Sequence, residues 1–248
     1  MVCSCARAPN PLTAGHLIVE LRKADPIWKT HCAVVIPCLN EAKTISGVVT
    51  QVREHLPTVL VIDDGSSDGT GARAREAGAE VIRLNAPEGK GAALITGWRR
   101  LAERGFTWAL TMDGDGQHSP DDIPIFLNQA NPDLPALVIG NRMADSAAMP
   151  WLRRQVNRWM SSRLSRRAGL TLPDSKCGFR LVHLASWARM QLTTRHFQME
   201  SELILAAVRQ GIPINFVRVQ VIYKGGPSKI NPIIDSFRWF RWFFHRGP

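Results

Sequence analysis

With 248 residues, and Lys and Arg outnumbering Asp and Glu by 31 to 21, the chain has room for one extended α/β core beneath a strongly positive surface, net +10. Such a field suits nucleic acid, an anionic membrane face or phosphorylated substrates, but no helix-turn-helix pattern, zinc-finger spacing or aromatic-basic ribonucleoprotein signature supports the first. The cysteines (Cys3, Cys5, Cys32, Cys38 and Cys177) form no CxxC pair or disulfide framework, which fits a reducing cytosol; no signal-peptide core is visible and no apolar stretch approaches the ~20 residues of a membrane span.

Residues 1–29, punctuated by Pro9, Pro11 and Pro26, read as an N-terminal extension. Short apolar runs rich in β-branched residues follow at 33–36, 59–62, 81–84 and 109–112, with helical stretches near 45–56, 71–77 and 92–104 between them. This alternation predicts an α/β fold with an open, twisted, mostly parallel sheet flanked by helices. Ligands of such sheets bind at the carboxyl ends of the strands. There each run enters a polar cluster: 37–41, 63–70, Asn85 followed by Gly89-Lys90-Gly91, and 113–117. All four clusters are expected on one rim.

The last cluster contains Asp113-Gly114-Asp115. Two carboxylates flanking a glycine can share a hard divalent cation that also grips a diphosphate; the plain alternative is a solvated turn. Lys90, between two glycines, suits a backbone that approaches phosphates closely, or else a simple loop before a helix. A fifth strand at 136–139 leads to Gly140-Asn141-Arg142. Beyond it the rhythm breaks into a basic helix at 151–168, a turn and strand at 175–184, a helix at 199–210 and a strand at 214–222. Residues 30–230 are taken as one catalytic domain. The segment 231–248, where aromatic residues alternate with arginine, is expected to be a membrane-interface helix, with a packed terminal helix as the alternative.

The segments VVIPCLNE (34–41), VIDDGSSDGT (61–70), GKGAAL (89–94) and MDGDGQH (112–118) resemble the family-2 glycosyltransferases. Downstream, DSKCGFRL (174–181), ESEL (200–203) and YKGGPSKI (223–230) are similar to the branch of dolichyl-phosphate mannose synthase and bacterial polyprenyl-phosphate sugar transferases. The resemblance implies a GT-A nucleotide-sugar-binding fold and an inverting reaction. It places Pro37, Leu39 and Glu41 along the nucleotide pocket, with Leu39 standing where dolichyl-phosphate mannose synthases carry an aromatic. Ile62 and Asp64 would touch base and ribose, Lys90 and Gly114 would lie along the donor, and Asp68 would cap the helix starting at Thr70 or brace its loop. Asp113, Asp115 and Gln117 would hold Mg2+ or Mn2+. Arg142 and Arg153 would face phosphate and Lys229 the leaving diphosphate. Tyr223 stands where an arginine is common in the family, so that phosphate contact is either missing or taken over by Lys224.

The hard part of such a transfer is the departure of a charged diphosphate, which a divalent ion and cationic side chains stabilise. A phosphate monoester has a second pKa of about 6, so as nucleophile it needs positioning by arginine forks, not deprotonation. Arg142, Arg153, Arg154 and Arg158 are candidates for that task, whereas Arg163, Arg166 and Arg167 read as a solvated face. A neutral hydroxyl would instead need a general base, for which Glu202 or Glu200 is available. His118 reads as structural or as a neighbour of the metal ligands, and Cys177 as chemically idle.

The catalytic set is thus Asp115, Arg142, Arg153, Glu202 and Lys229. The expected partners are a nucleoside-diphosphate sugar, a lipid-phosphate or other lipid acceptor, and an anionic membrane surface on the cytoplasmic side. The competing readings are transfer to a hydroxyl of another lipid or secondary metabolite, a nucleotidyltransferase, and a non-catalytic nucleotide-sugar-binding protein. A nucleotidyltransferase would carry a glycine-rich loop with Arg and Lys after the first strand, and residues 37–41 lack it.

Overall fold

In the computed structural model, residues 26–146, 149–222 and 232–245 are described, the last segment with side chains from Arg238 to Phe244. One helical turn, α1 (Trp28–His31), leads into β1 (Cys32–Cys38), α2 (Ile45–His55), β2 (Val59–Asp63), α3 (Thr70–Glu76), β3 (Glu80–Arg83), α4 (Lys90–Glu103) and β4 (Trp108–Thr111). Then come α5 (Ile123–Gln129), β5 (Leu137–Asn141), α6 (Trp151–Ala168), β6 (Arg180–His183), α7 (Leu184–Trp187), α8 (Met199–Arg209), β7 (Ile214–Arg218) and α9 (Pro232–His245). The sequence pattern located β1 to β5, α6 and α8 to within a few residues. It gave no signal for α1 or α5, and the strand expected to reach residue 222 ends at Arg218.

The seven strands form one sheet in the order β3-β2-β1-β4-β6-β5-β7. β3, β2, β1 and β4 run parallel, with Cys38 level with Asp63 and Asp63 level with Arg83. The clusters after these strands therefore meet on one rim, as expected. Every residue of β2 and β4 is buried. Strands covered on both faces read as continuous apolar runs, which is why they were visible in the sequence. α4 packs closely on this layer because it presents Gly97; a Cβ there would come within 2.5 Å of Val35 Cγ1.

β6 enters between β4 and β5 and is antiparallel to both. An antiparallel strand starts at the rim where its parallel neighbours end, and Arg180 lies opposite Thr111. The loop before β6, at residues 174–179, consequently joins the clusters that follow β1 to β4. At the far side, β7 pairs parallel with β5. The chain after β7 returns to the rim, where Val221 bridges His118 and the Ile222 N–H donates to the Gln117 carbonyl at 2.9 Å.

The C-terminal segment is a helix, and three of its five aromatic residues with described side chains belong to the core. Trp239, Trp242 and Phe243 are buried, and Trp239 Nε1 donates to Ser201 Oγ on α8 at 2.9 Å. Arg167 of α6 clasps α9 by donating to the Phe243 carbonyl at 2.6 Å and lying over its ring. Arg167, read as part of a solvated face, is thus a clasp between helices, and the tail is packed along one side while Phe240 and Phe244 remain exposed.

Candidate active site

The loops after β1 and β2 are stitched together before any ligand is considered. The Asp64 N–H donates to the Cys38 carbonyl at 2.8 Å, and the Asn40 N–H donates to Ser66 Oγ at 2.9 Å. Asn40 sits at φ +55°, a left-handed conformation its short polar side chain tolerates, while its Oδ1 accepts from the Ser67 N–H at 2.9 Å. Asp68 accepts from the N–H groups of Ala42 and Thr70, and the Glu41 N–H donates to Thr70 Oγ1. Asp68 thus braces the loop, one of the two roles expected of it.

Pro37 stands level with Ile62 on the neighbouring strand. Ile62, expected to touch the base, is wholly buried under Gly97 of α4 and belongs to the core. Leu39 is exposed and Glu41 half-buried at the mouth. Asp64 is buried, and its two oxygens accept from the N–H groups of Glu88 and Gly89 at 2.7 and 2.9 Å. Both contacts hold the loop that delivers Lys90.

Charge concentrates where that loop meets the end of β4. Lys90 Nζ lies 2.6 Å from Asp113 Oδ1 and 2.9 Å from Glu200 Oε1. Lys176 Nζ is 3.5 Å from the other Glu200 oxygen, and His118 Nε2 is 3.5 Å from Asp113 Oδ2. Burial alone would suppress every one of these charges. For Asp113, Lys90 and His118 outweigh it and hold the carboxyl well below the usual carboxylate range. For Lys90, Asp113 and Glu200 outweigh it and raise the ammonium above its ordinary value. Glu200 is likewise held low, against burial, by Lys90, Lys176 and Arg180. Lys176 moves the other way, because burial lowers it more than Glu200 restores.

Two glycines make room for this cluster. A Cβ on Gly178 would fall 2.6 Å from Lys90 Nζ and 2.8 Å from Asp113 Oδ2; one on Gly114 would fall 2.5 Å from Cys38 Sγ. Glycine between the two carboxylates is therefore a steric requirement of the fold. Thr44 Oγ1 donates to the Gly114 carbonyl at 2.7 Å, and Asp115 Oδ1 accepts from the Gln117 N–H at 3.0 Å. Asp115 and Gln117 remain half-buried at the rim beside Asp113.

Several expected residues lie elsewhere or in other roles. Arg142 is buried and forms a two-pronged pair with Asp174, from Nε at 2.8 Å and Nη2 at 3.0 Å, so its guanidinium is committed to the protein. Glu202 is buried too: its carboxylate accepts four hydrogen bonds, from the N–H and hydroxyl groups of Thr193 and Thr194. It anchors a turn and is not placed as a base. Glu200, read as an exposed helix start or a base, is instead the counter-ion of two lysines. Arg153 is half-buried on the first turn of α6; beside it, Arg154 has a buried Nε with no hydrogen-bond partner among the described residues. Lys229, with Tyr223 and Lys224, lies outside the described residues.

Lys176, Gly178 and Arg180 were missed as individual site residues. Arg180, fully buried, donates to the carbonyls of Cys177, Glu200 and Ser175 and so ties the 174–178 loop to the start of α8. The segment DSKCGFRL carried a family resemblance, but the roles of its charged residues depend on the antiparallel insertion of β6. Cys177 is idle as expected, its thiol pushed up to about 12 by burial.

Comparison with known proteins agrees with this architecture. Residues 33–187 match the family model described as glycosyl transferase family 2. Glycosyltransferase AglJ of Haloferax volcanii is 32% identical over 210 residues, covering 82% of this chain and 67% of that protein. The undecaprenyl-phosphate mannosyltransferase of Micrococcus luteus is 29% identical over 230 residues, covering 83% and 92%. The polyprenol monophosphomannose synthase of Mycolicibacterium smegmatis is 27% identical over 217 residues, covering 80% of each. Among solved structures, glucosyl-3-phosphoglycerate synthase from Mycobacterium tuberculosis, in complex with Mn2+, UDP and its product, superposes with a TM-score of 0.63 at 21% identity over 84% of this chain and 74% of that one. That likeness shows a shared GT-A fold. With more than half of its length inside the family model and a relative at 32% identity, the chain belongs to family 2 of the glycosyltransferases.

Proposed function

We propose that the enzyme transfers a sugar, with inversion, from a nucleoside-diphosphate sugar to a polyprenyl phosphate. The observation that carries this reading is the charge cluster at the rim, Asp113 with Lys90, Glu200 and Lys176, set in a chain whose relatives are named for polyprenyl-phosphate acceptors. The nucleotide would lie along Pro37, Leu39 and Glu41, with Asp64 securing the wall.

Among the described residues no three of His, Cys, Asp and Glu gather around a metal position, so the ion proposed here would be held by few carboxylates and completed by substrate phosphates. Asp113 is kept ionised, already binds a cation in the form of the Lys90 ammonium, and faces a cradle that a Gly178 Cβ would fill. Asp113 and Asp115, with Gln117, would hold Mg2+ or Mn2+, which neutralises charge on a departing diphosphate. Lys90 and Lys176 supply further positive charge beside that position, and Lys229 is proposed to add to it. Glu200 holds both described lysines in place.

A lipid phosphate arrives as an anion, so the protein's task is to align an oxygen opposite the leaving group. Arg153 and Arg154 on α6 are proposed for this, and the Nε of Arg154, buried and without a hydrogen-bond partner among the described residues, supports a role for that side chain. A hydroxyl acceptor would need a general base, and both candidate carboxylates, Glu200 and Glu202, are fully engaged. The test is a screen of UDP- and GDP-sugars with Mg2+ or Mn2+, reading release of nucleoside diphosphate. Release should require polyprenyl phosphate. Equal release with the matching polyprenol, or none with any lipid phosphate, would contradict the reading.

A further inference from the structure

Four large apolar side chains of α6 point away from the core: Trp151 and Leu152, 65% and 66% exposed, and Val156 and Trp159 one and two turns further on. Leu152, Val156 and Trp159 recur at spacings of four and three residues and so form one stripe, with Trp151 beside Leu152 at its start. The stripe continues onto α9. Trp159 stacks on Phe240 with ring centroids 6.4 Å apart and planes 6° from parallel, and Phe240 lies 4.4 Å from Phe244, itself 53% exposed. A contiguous exposed patch of aromatic and aliphatic side chains needs an occupant.

Charge says which. α6 contains six arginines and no acidic residue. Arg158 and Arg163 are exposed beside the stripe, Arg163 with its guanidinium 5.4 Å over the Trp159 ring, and Arg241 is exposed on α9. A second copy of this face would bring arginine against arginine. Anionic headgroups match them, and Trp, Phe and Arg are the side chains that settle at headgroup depth. No described helix is long and apolar enough to cross a membrane, so the contact is with the surface.

The inner sides of the same two helices hold the site. Ser161 of α6 is 3.0 Å from Ser175 in the loop that carries Lys176, and Trp239 of α9 is bonded to Ser201 between Glu200 and Glu202. We propose that the outer face of α6 and α9 docks on an anionic bilayer through Trp151, Leu152, Val156, Trp159, Phe240 and Phe244. Docking there places Arg153 and Arg154, at the start of α6, at headgroup level, where a lipid phosphate resides. The inference deepens the lipid-phosphate reading and rests on it for this consequence.

The experiment is co-sedimentation of the full chain with vesicles of phosphatidylcholine, with and without phosphatidylglycerol and without substrate. Wild type should bind the anionic vesicles. Trp151→Ser/Leu152→Ser/Phe244→Ser should bind about tenfold or more weakly at unchanged thermal stability, since these side chains already face solvent. Arg163→Gln/Arg241→Gln should lose binding by a similar factor, in a salt-dependent way. The apolar variant should keep wild-type turnover on a short water-soluble isoprenyl phosphate and lose it only on vesicle-embedded polyprenyl phosphate. Vesicle binding that survives the apolar variant, a wild type that ignores anionic vesicles, or a dimer that these substitutions dissolve would each overturn the proposal. Binding through this face without activity on any lipid phosphate would uphold the docking surface and reject the acceptor.

Discussion

Lys90 illustrates how one side chain serves stability and chemistry together. Its ammonium lies between Asp113 and Glu200, so Lys90→Ala would leave the buried Glu200 carboxylate facing the half-buried Asp113 without a cation between them. Removing one partner of a buried ion pair costs about 3–5 kcal/mol. Urea unfolding should show a loss of that order together with loss of transfer. Asp115→Ala is predicted to differ. It removes one hydrogen bond from the Gln117 N–H at a half-buried rim position, so stability should fall by only about 1 kcal/mol while turnover nearly vanishes. A stable, fully active Asp115→Ala would contradict the proposed role of Asp115 as a metal ligand. Asp64→Ala unties Glu88 and Gly89, and calorimetry with metal-free nucleotide should show weaker binding because the pocket wall loosens. Unchanged affinity would show that the loop held by Asp64 is no part of the nucleotide wall.

At the scale of elements, the 174–178 loop is the hinge between what the sequence revealed and what it hid. The strands β1, β2 and β4 were legible because buried parallel strands are continuous apolar runs ending in polar clusters. The placement of Asp113 and Lys90 on one rim followed from that pattern. Insertion of β6 is a long-range pairing with no local signature, so Lys176 and Arg180 could not be positioned from spacing. Nor could periodicity show that Arg142 points to Asp174 or that Glu202 points to Thr193 and Thr194. The Arg142–Asp174 pair yields a pH prediction. Burial opposes the Asp174 charge, but Arg142 overrides it and lowers the carboxyl, so the folded pKa lies below the unfolded ~3.9. Its stabilisation is complete above about pH 5 and declines as pH falls through 3.9 toward the folded value. Wild type should therefore lose more stability between pH 6 and pH 3, roughly, than an Arg142→Met/Asp174→Leu double variant. Parallel losses would show that the pair contributes nothing.

For the whole molecule, composition pointed to an anionic partner, and the fold distributes that charge. Arginine-rich α6 carries the exposed Trp151 and Leu152, while Asp113, Glu200 and the two lysines cluster at the rim of the sheet. The tail's aromatic residues could not be divided by sequence into core and surface. Only packing separates buried Trp239 from exposed Phe240. If a lipid phosphate is the nucleophile, no protein base limits turnover, and Glu202→Gln should retain substantial transfer once its milder stability loss is allowed for. Arg154→Ala should then cost far more. The most direct measurement is phosphorus NMR of polyprenyl phosphate incubated with donor sugar, metal ion and enzyme. The monoester resonance should convert to a phosphodiester as nucleoside diphosphate appears in equal amount. Nucleoside diphosphate released with the monoester untouched would contradict transfer to the lipid phosphate.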